Sequence, residues 1–218
     1  MKAIILGGSK GIGKAIRLQL EKICDDVVYT STKEVDTSKL ETVKNFISQH
    51  PSCDVLVLNT GGPPPLPFAE ITEDIWLKYF NQLFLAFVLI LQKISITPGG
   101  YVFLMSSHVI KEPENKLIIS NSLRLGFTSV FKTVSKLNMD KRISYINIAP
   151  GPTHTQRLAD LLKKSERTIE MFAQSLPTKR VVDPDDIGKF VRFIVENKIT
   201  ALNGVTINFD MGLSHYIL

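Results

Sequence analysis

The chain has 218 residues, 44% of them hydrophobic and 22% charged, which is enough to bury a full core and excludes a disordered or low-complexity chain. Its net charge of +5 does not point to nucleic acid, because the lysines and arginines are dispersed rather than gathered on one stripe. Cys24 and Cys53 follow no metal or redox spacing, so reduced structural thiols in a cytoplasmic protein are expected, and no metal site.

The chain enters a predicted strand at once, Lys2 to Leu6, leaving no room for a signal peptide. Helix one is expected from the following glycine turn to about Ile23, with Ile12, Ile16, Leu20 and Ile23 at helical spacing. Strand two is Asp26 to Thr30. No helix fits between Thr30 and Val35, so one α/β crossover is expected to shrink to a loop before a helix capped by Thr37 or Ser38, carrying Leu40, Val43, Phe46 and Ile47. Cys53 to Asn59 is near-continuously apolar, as in a strand covered on both faces. Thr60-Gly61-Gly62-Pro63-Pro64-Pro65 breaks regular structure, and the prolines Pro63 to Pro67 serve either as a pocket rim or as a stiff connector.

A long helix is predicted from about Glu70 to Ile96, stopped by Pro98-Gly99-Gly100. Its most apolar run, Leu83 to Leu91, falls far short of the roughly 18 residues of a membrane span, so no membrane partner is expected. A strand at Tyr101 to Met105 leads into Ser106-Ser107-His108, and a helix follows from about Leu117 to Asn138. Strand Arg142 to Ile148 ends at Ala149-Pro150-Gly151-Pro152, and a helical segment runs from about Thr155 to Gln174. Asp183 caps a helix with Pro184 at its first position, reaching about Glu196, and Gly204 to Phe209 is the last strand. About seven strands alternating with helices make an α/β fold, a doubly wound, Rossmann-like parallel sheet in one domain over residues 1–218.

The stretch Gly7-Gly8-Ser9-Lys10-Gly11-Ile12-Gly13 joins strand one to helix one. Its GxxxGxG spacing (Gly7, Gly11, Gly13) differs from the commonest dinucleotide fingerprint, so spacing alone allows a phosphate loop or a plain glycine-rich turn. Its place after the first strand of an alternating β/α chain favours the phosphate, where bare backbone and a helix N-terminus accept negative charge.

With this turn, Asn59-Thr60-Gly61, Ser107, Pro150-Gly151 and Asn203-Gly204 to Asp210 in this order, the chain resembles the short-chain dehydrogenase/reductase superfamily over nearly its whole length, most closely the divergent relatives of ketoacyl carrier protein reductases. The resemblance implies a nicotinamide dinucleotide. Gly7, Ser9, Lys10, Gly11, Ile12 and Gly13 would meet its diphosphate and adenosine ribose. Asp36 would lie at the adenine, Asn59 and Gly61 along the adenosine, and Pro150, Gly151, Thr153 and Thr155 at the nicotinamide. Strand two ends in Tyr29-Thr30-Ser31-Thr32-Lys33, without the acid that accepts from a ribose 2'-OH. Lys10, Ser31, Thr32 and Lys33 suit a 2'-phosphate, so NADP(H) is expected over NAD(H).

In the family a serine aligns the carbonyl, a tyrosine thirteen residues on transfers the proton, and a lysine four beyond supports it. Ser107 matches the first, but the other two positions hold Ser120 and Arg124, and Leu83 stands where the family has a helix asparagine. Ser120 and Arg124 share a helix face, and Arg124 could replace lysine at the ribose, but serine is a far poorer acid than a phenol. His108 and His154 are alternative proton carriers, each also readable as a solvated loop histidine. The aromatic series Trp76, Phe80, Phe84 and Phe87 reads as core or subunit interface, and the resemblance implies a homodimer or homotetramer paired through this helix and the next. Leu158 to Met171 would form a substrate lid. Two functions follow: an NADP(H)-dependent oxidoreductase acting on a small carbonyl or alcohol, or a catalytically impaired NADP(H)-binding sensor or assembly subunit.

Overall fold

The computed structural model describes residues 1–163 and 165–216. Apolar residues on both sides of a strand require cover on both faces, and each strand divides its side chains accordingly. On β1 (Lys2–Ile5), Ile4 joins a core with Leu56, Phe87 and Phe127, while Ala3 and Ile5 join another with Ile16, Phe103 and Val191. The strands β1, β2 (Asp26–Tyr29), β3 (Ser52–Leu58), β4 (Ser95–Met105), β5 (Ser144–Pro150) and β6 (Val205–Phe209) form one parallel sheet in the order β2-β1-β3-β4-β5-β6.

Helices α1 (Gly11–Leu20) and α8 (Pro184–Glu196) contribute Ile16, Leu20, Ile187 and Val191 to one face. The other face takes Val43 and Phe46 from α2 (Leu40–Gln49), Ala86, Phe87 and Ile90 from the helix before β4, and Phe127 and Phe131 from α5 (Ile118–Leu137). Because β1 lies between β2 and β3, the winding reverses there, and a crevice opens at the carboxyl ends of β1 and β3.

Six strands form rather than about seven. As expected, no helix stands between Thr30 and Val35. The start of α2 differs from expectation: neither Thr37 nor Ser38 caps it, since Thr37 Oγ1 pairs with Thr60 Oγ1 at 2.9 Å and Ser38 Oγ donates to Asp36. The helix predicted over Glu70 to Ile96 is α3 (Glu73–Phe80), a π turn at Asn81–Leu85, and α4 (Ala86–Lys93), with Thr72 capping its start.

Pro98-Gly99-Gly100 does not stop that helix. It lies inside β4 as a bulge, where pairing shifts from Cys53↔Ile96 to Val55↔Tyr101 and a Cβ on Gly100 would strike the Asp54 carbonyl. By length and composition Glu73–Lys93 as a whole is apolar enough to cross a membrane, a wider span than Leu83 to Leu91 suggested; its Leu83, Ala86, Phe87 and Ile90 are core residues. The segment after Thr155 is two helices, α6 (Gln156–Lys163) and α7 (Ile169–Ser175), rather than one; Lys164, within the expected lid, lies outside the described residues. Asp183 caps α8 as expected, its Oδ1 accepting from the Asp185 N–H at 2.9 Å.

Candidate active site

The turn between β1 and α1 is held from three sides. Gly7 takes φ 62° and donates its N–H to Thr30 Oγ1 at the end of β2, while Asn59 Nδ2, just past β3, donates to the carbonyls of Leu6 and Gly7. Gly13 packs so close to the turn that a Cβ would collide with the Gly7 carbonyl, and Gly11 faces the Thr155 methyl. Among the described residues no side chain caps α1, and its first turn carries no acid. Its leading N–H groups and dipole therefore remain available to an anion, with Lys10 exposed beside them, and the residues fit a dinucleotide diphosphate.

The loop after β2 contains a feature that sequence reasoning missed. Ser31 Oγ and the Ser31 N–H both donate to the Glu34 carboxylate, which these bonds hold below the usual carboxylate range. An acid thus stands at the serine expected to meet a 2'-phosphate, while Thr32 and Lys33 remain exposed. Asp36 Oδ1 is engaged by Ser38, and the Thr37–Thr60 hydroxyl pair ties this loop to Asn59-Thr60-Gly61.

Ser107 ends the run after β4 and accepts from the Val109 N–H at 3.4 Å. On the facing helix α5, Arg124 Nε donates to Ser120 Oγ at 3.1 Å, and Arg124 Nη1 donates to the carbonyls of Met105 and Ser106 at 3.1 and 3.3 Å. The i, i+4 spacing thus brings Ser120 and Arg124 together and fixes them to the backbone next to Ser107. Ser120 is buried, and Arg124 is half-buried. Burial, and then the charge of Arg157, lowers the Arg124 pKa to about 10.

The turn after β5 completes the rim. The Gly151 N–H donates to the Phe209 carbonyl, and buried Thr153 donates through Oγ1 to the Gly151 carbonyl at 2.9 Å. Thr155 Oγ1 donates to the Thr153 carbonyl and accepts from the Leu158 N–H, starting α6. Two residues on, Arg157 Nη2 donates to the Pro63 carbonyl at 2.8 Å, which ties the proline run to the start of α6. Arg157 was not among the expected site residues, and a lone arginine in the first turn of a polar helix carries no sequence signal for such a role.

His154 is exposed, as a solvated loop histidine would be. His108 is not: its side chain is only 12% accessible, with Nδ1 3.2 Å from the Pro150 carbonyl and Nε2 2.9 Å from Glu114. Burial alone would lower its pKa, but Glu114, the Pro150 carbonyl and Asp210 outweigh burial and raise it. Both ring nitrogens are engaged, so His108 binds the loop after β4 to the end of β5.

A family model described as Enoyl-(Acyl carrier protein) reductase matches residues 9–214. The short chain dehydrogenase/reductase astE of Aspergillus oryzae is 26% identical, the match covering 97% of this chain and 94% of that protein. Among solved structures, a short chain dehydrogenase family protein of Francisella tularensis superposes with TM-score 0.84 at 17% identity, covering 97% of this chain and 98% of its own. L-sorbose reductase of Gluconobacter frateurii, in a complex with NADPH and L-sorbose, gives TM-score 0.82 at 21% identity over 99% of this chain and 97% of its own. With the parallel sheet, the glycine turn and the serine after β4, these matches establish that the chain belongs to the short-chain dehydrogenase/reductase superfamily.

Proposed function

We propose that the protein is an oxidoreductase that interconverts a small carbonyl and its alcohol with NADP(H). The bound nicotinamide supplies or accepts the hydride. The observation that carries this reading is the Arg124–Ser120 hydrogen bond anchored beside Ser107, which gathers the three catalytic positions at the carboxyl end of β4. Ser107 Oγ orients the substrate oxygen. Arg124 Nε donates to Ser120 Oγ, which leaves the serine hydroxyl proton free to pass to that oxygen. Arg124 stays charged and holds the serine oxygen in place through Nε, and the proton that Ser120 gives up is restored from solvent.

NADP(H) is preferred over NAD(H) because exposed Thr32 and Lys33 in the loop after β2 offer a hydroxyl and a cation, and Lys10 in the glycine turn a second cation; Ser31 joins them once released by Glu34. Gly7, Ser9, Gly11, Ile12 and Gly13 hold the diphosphate, Asp36, Asn59 and Gly61 the adenosine, and Arg124, Pro150, Gly151, Thr153 and Thr155 the nicotinamide half. Exposed Leu77 (54%), Phe80 (38%) and Leu125 (50%) on α3 and α5 support pairing into a homodimer or homotetramer. Buried free Cys24 and Cys53 suit a reducing, cytoplasmic setting.

Calorimetric titration tests the cofactor and a carbonyl panel tests the reaction. NADPH should bind more tightly than NADH, and NADPH oxidation should require Ser107; equal or tighter NADH binding refutes the preference. A second reading, a cofactor-binding sensor or assembly subunit without turnover, is favoured by one observation: a serine already engaged by Arg124 stands where the family has tyrosine. Tight NADPH binding with no turnover on any carbonyl or alcohol would select it.

A further inference from the structure

Two guanidinium groups converge at the rim of this pocket. Arg124 uses Nε and Nη1 for its hydrogen bonds, and among the described residues its Nη2 makes none. Arg157 is anchored to the Pro63 carbonyl through Nη2. Both Nη2 atoms close on Gly62: a Cβ built on that glycine would lie 3.1 Å from Arg124 Nη2 and 3.2 Å from Arg157 Nη2, tighter than ordinary contact, so the two guanidiniums approach one another across a position that only glycine leaves clear.

No carboxylate among the described residues pairs with either guanidinium; the arginines that do pair are Arg17 with Glu21 and Arg192 with Glu196. The neighbouring groups are an amide and a phenol. Gln82 Nε2 donates to the Gly61 carbonyl at 2.7 Å, and Tyr79 of α3 lies close enough to Arg157 to influence its charge. Arg124 is half-buried and Arg157 exposed, so the two like charges meet at the solvent edge without a counter-ion, and a negative group bridging their Nη2 atoms would relieve the repulsion.

We propose that the site selects a substrate bearing a carboxylate, held between Arg157 and the open Nη2 face of Arg124 beside Gly62, with its carbonyl or alcohol carbon toward Ser107. Planar guanidinium forks match a carboxylate, and such charge-assisted bonds are the strong ones. Arg157 is then the residue that sets specificity. The inference rests on the oxidoreductase reading.

The test pairs each of a series of three- to six-carbon 2-oxo and 3-oxo carboxylates with its neutral methyl ester. Binding is measured by calorimetry with and without NADP⁺, and turnover by NADPH oxidation, in the wild-type, Arg157→Gln and Arg157→Lys proteins. Carboxylates should bind at least about tenfold more tightly than their esters, as a charge-assisted contact implies. Arg157→Gln should erase that preference while leaving NADPH affinity unchanged, and Arg157→Lys should keep part of it. Equal binding of acids and esters overturns the proposal, as does a preference that survives in Arg157→Gln. A parallel loss of NADPH affinity in that variant also overturns it, by assigning the arginine to the cofactor. Carboxylate binding without NADPH oxidation would sink the oxidoreductase reading and keep the carboxylate site; NADPH oxidation without charge preference would do the reverse.

Discussion

Replacing Arg124 by leucine separates what this residue does for the fold from what it does for the chemistry. The substitution removes three hydrogen bonds, to Ser120 Oγ and to the carbonyls of Met105 and Ser106. A buried carbonyl left unsatisfied costs about 1–3 kcal/mol, so the two carbonyls set the loss at about 2–6 kcal/mol if water does not reach them. Against that stands the cost of keeping the charge. A pKa lowered from 12.5 to about 10 corresponds to ~3 kcal/mol of destabilised guanidinium, which leucine relieves. The two effects are of similar size, and because the site is part-open, water can reach some of the abandoned carbonyls. Arg124→Leu should therefore lose only about 0–2 kcal/mol in urea unfolding, while NADPH-driven turnover falls about 100-fold or more because Ser120 loses the guanidinium that orients and polarises its hydroxyl. Arg124→Lys, which keeps a charge but not the fork, should fall between. A stability loss above about 4 kcal/mol would show that the arginine is chiefly structural, and unchanged turnover would refute the proton route.

Gly13→Ala should destabilise by about 3 kcal/mol and abolish cofactor binding, since its Cβ would strike the Gly7 carbonyl; thermal unfolding and NADPH titration check this. The raised His108 pKa makes stability pH-dependent. The contribution of its protonated pairing with Glu114 is complete below the unfolded value of 6.5 and is lost as pH rises through the folded one, so wild-type stability should decline across that window more steeply than His108→Gln in urea melts. Glu34→Gln should strengthen NADPH binding several-fold relative to NADH, by releasing Ser31 and removing a negative charge from the loop after β2; unchanged selectivity in paired titrations would place the 2'-phosphate elsewhere.

Elements whose signal lies within one segment were legible in the sequence. The strand at Cys53 to Asn59 declared itself because burial on both faces demands an apolar run, and the Asp183-Pro184 start of α8 because capping is local chemistry. Pro98-Gly99-Gly100 misled because the same residues that end a helix also make a bulge, and only the Asp54 carbonyl across the sheet decides which. The glycine turn and Ser107 were found by order and spacing. Arg157 and Glu34 were not, because their partners, Pro63 and Ser31, are selected by folding: one is distant in the chain, and the other forms a surface pair indistinguishable from ordinary polar loop residues. His108 stayed open between proton carrier and loop histidine for the same reason, since Pro150, at the end of β5, reaches it only through folding and Glu114 is an ordinary acid of its own loop.

Hydride transfer distinguishes a protein that uses the nicotinamide from one that only binds it. NADPH deuterated at the transferring face of C4 is incubated with the protein and the carbonyl panel, and the alcohols formed are analysed by mass spectrometry. The wild-type protein should place one deuterium on the carbinol carbon of a product, and Ser107→Ala only traces. Saturating NADPH binding with no deuterium in any alcohol would contradict the oxidoreductase reading.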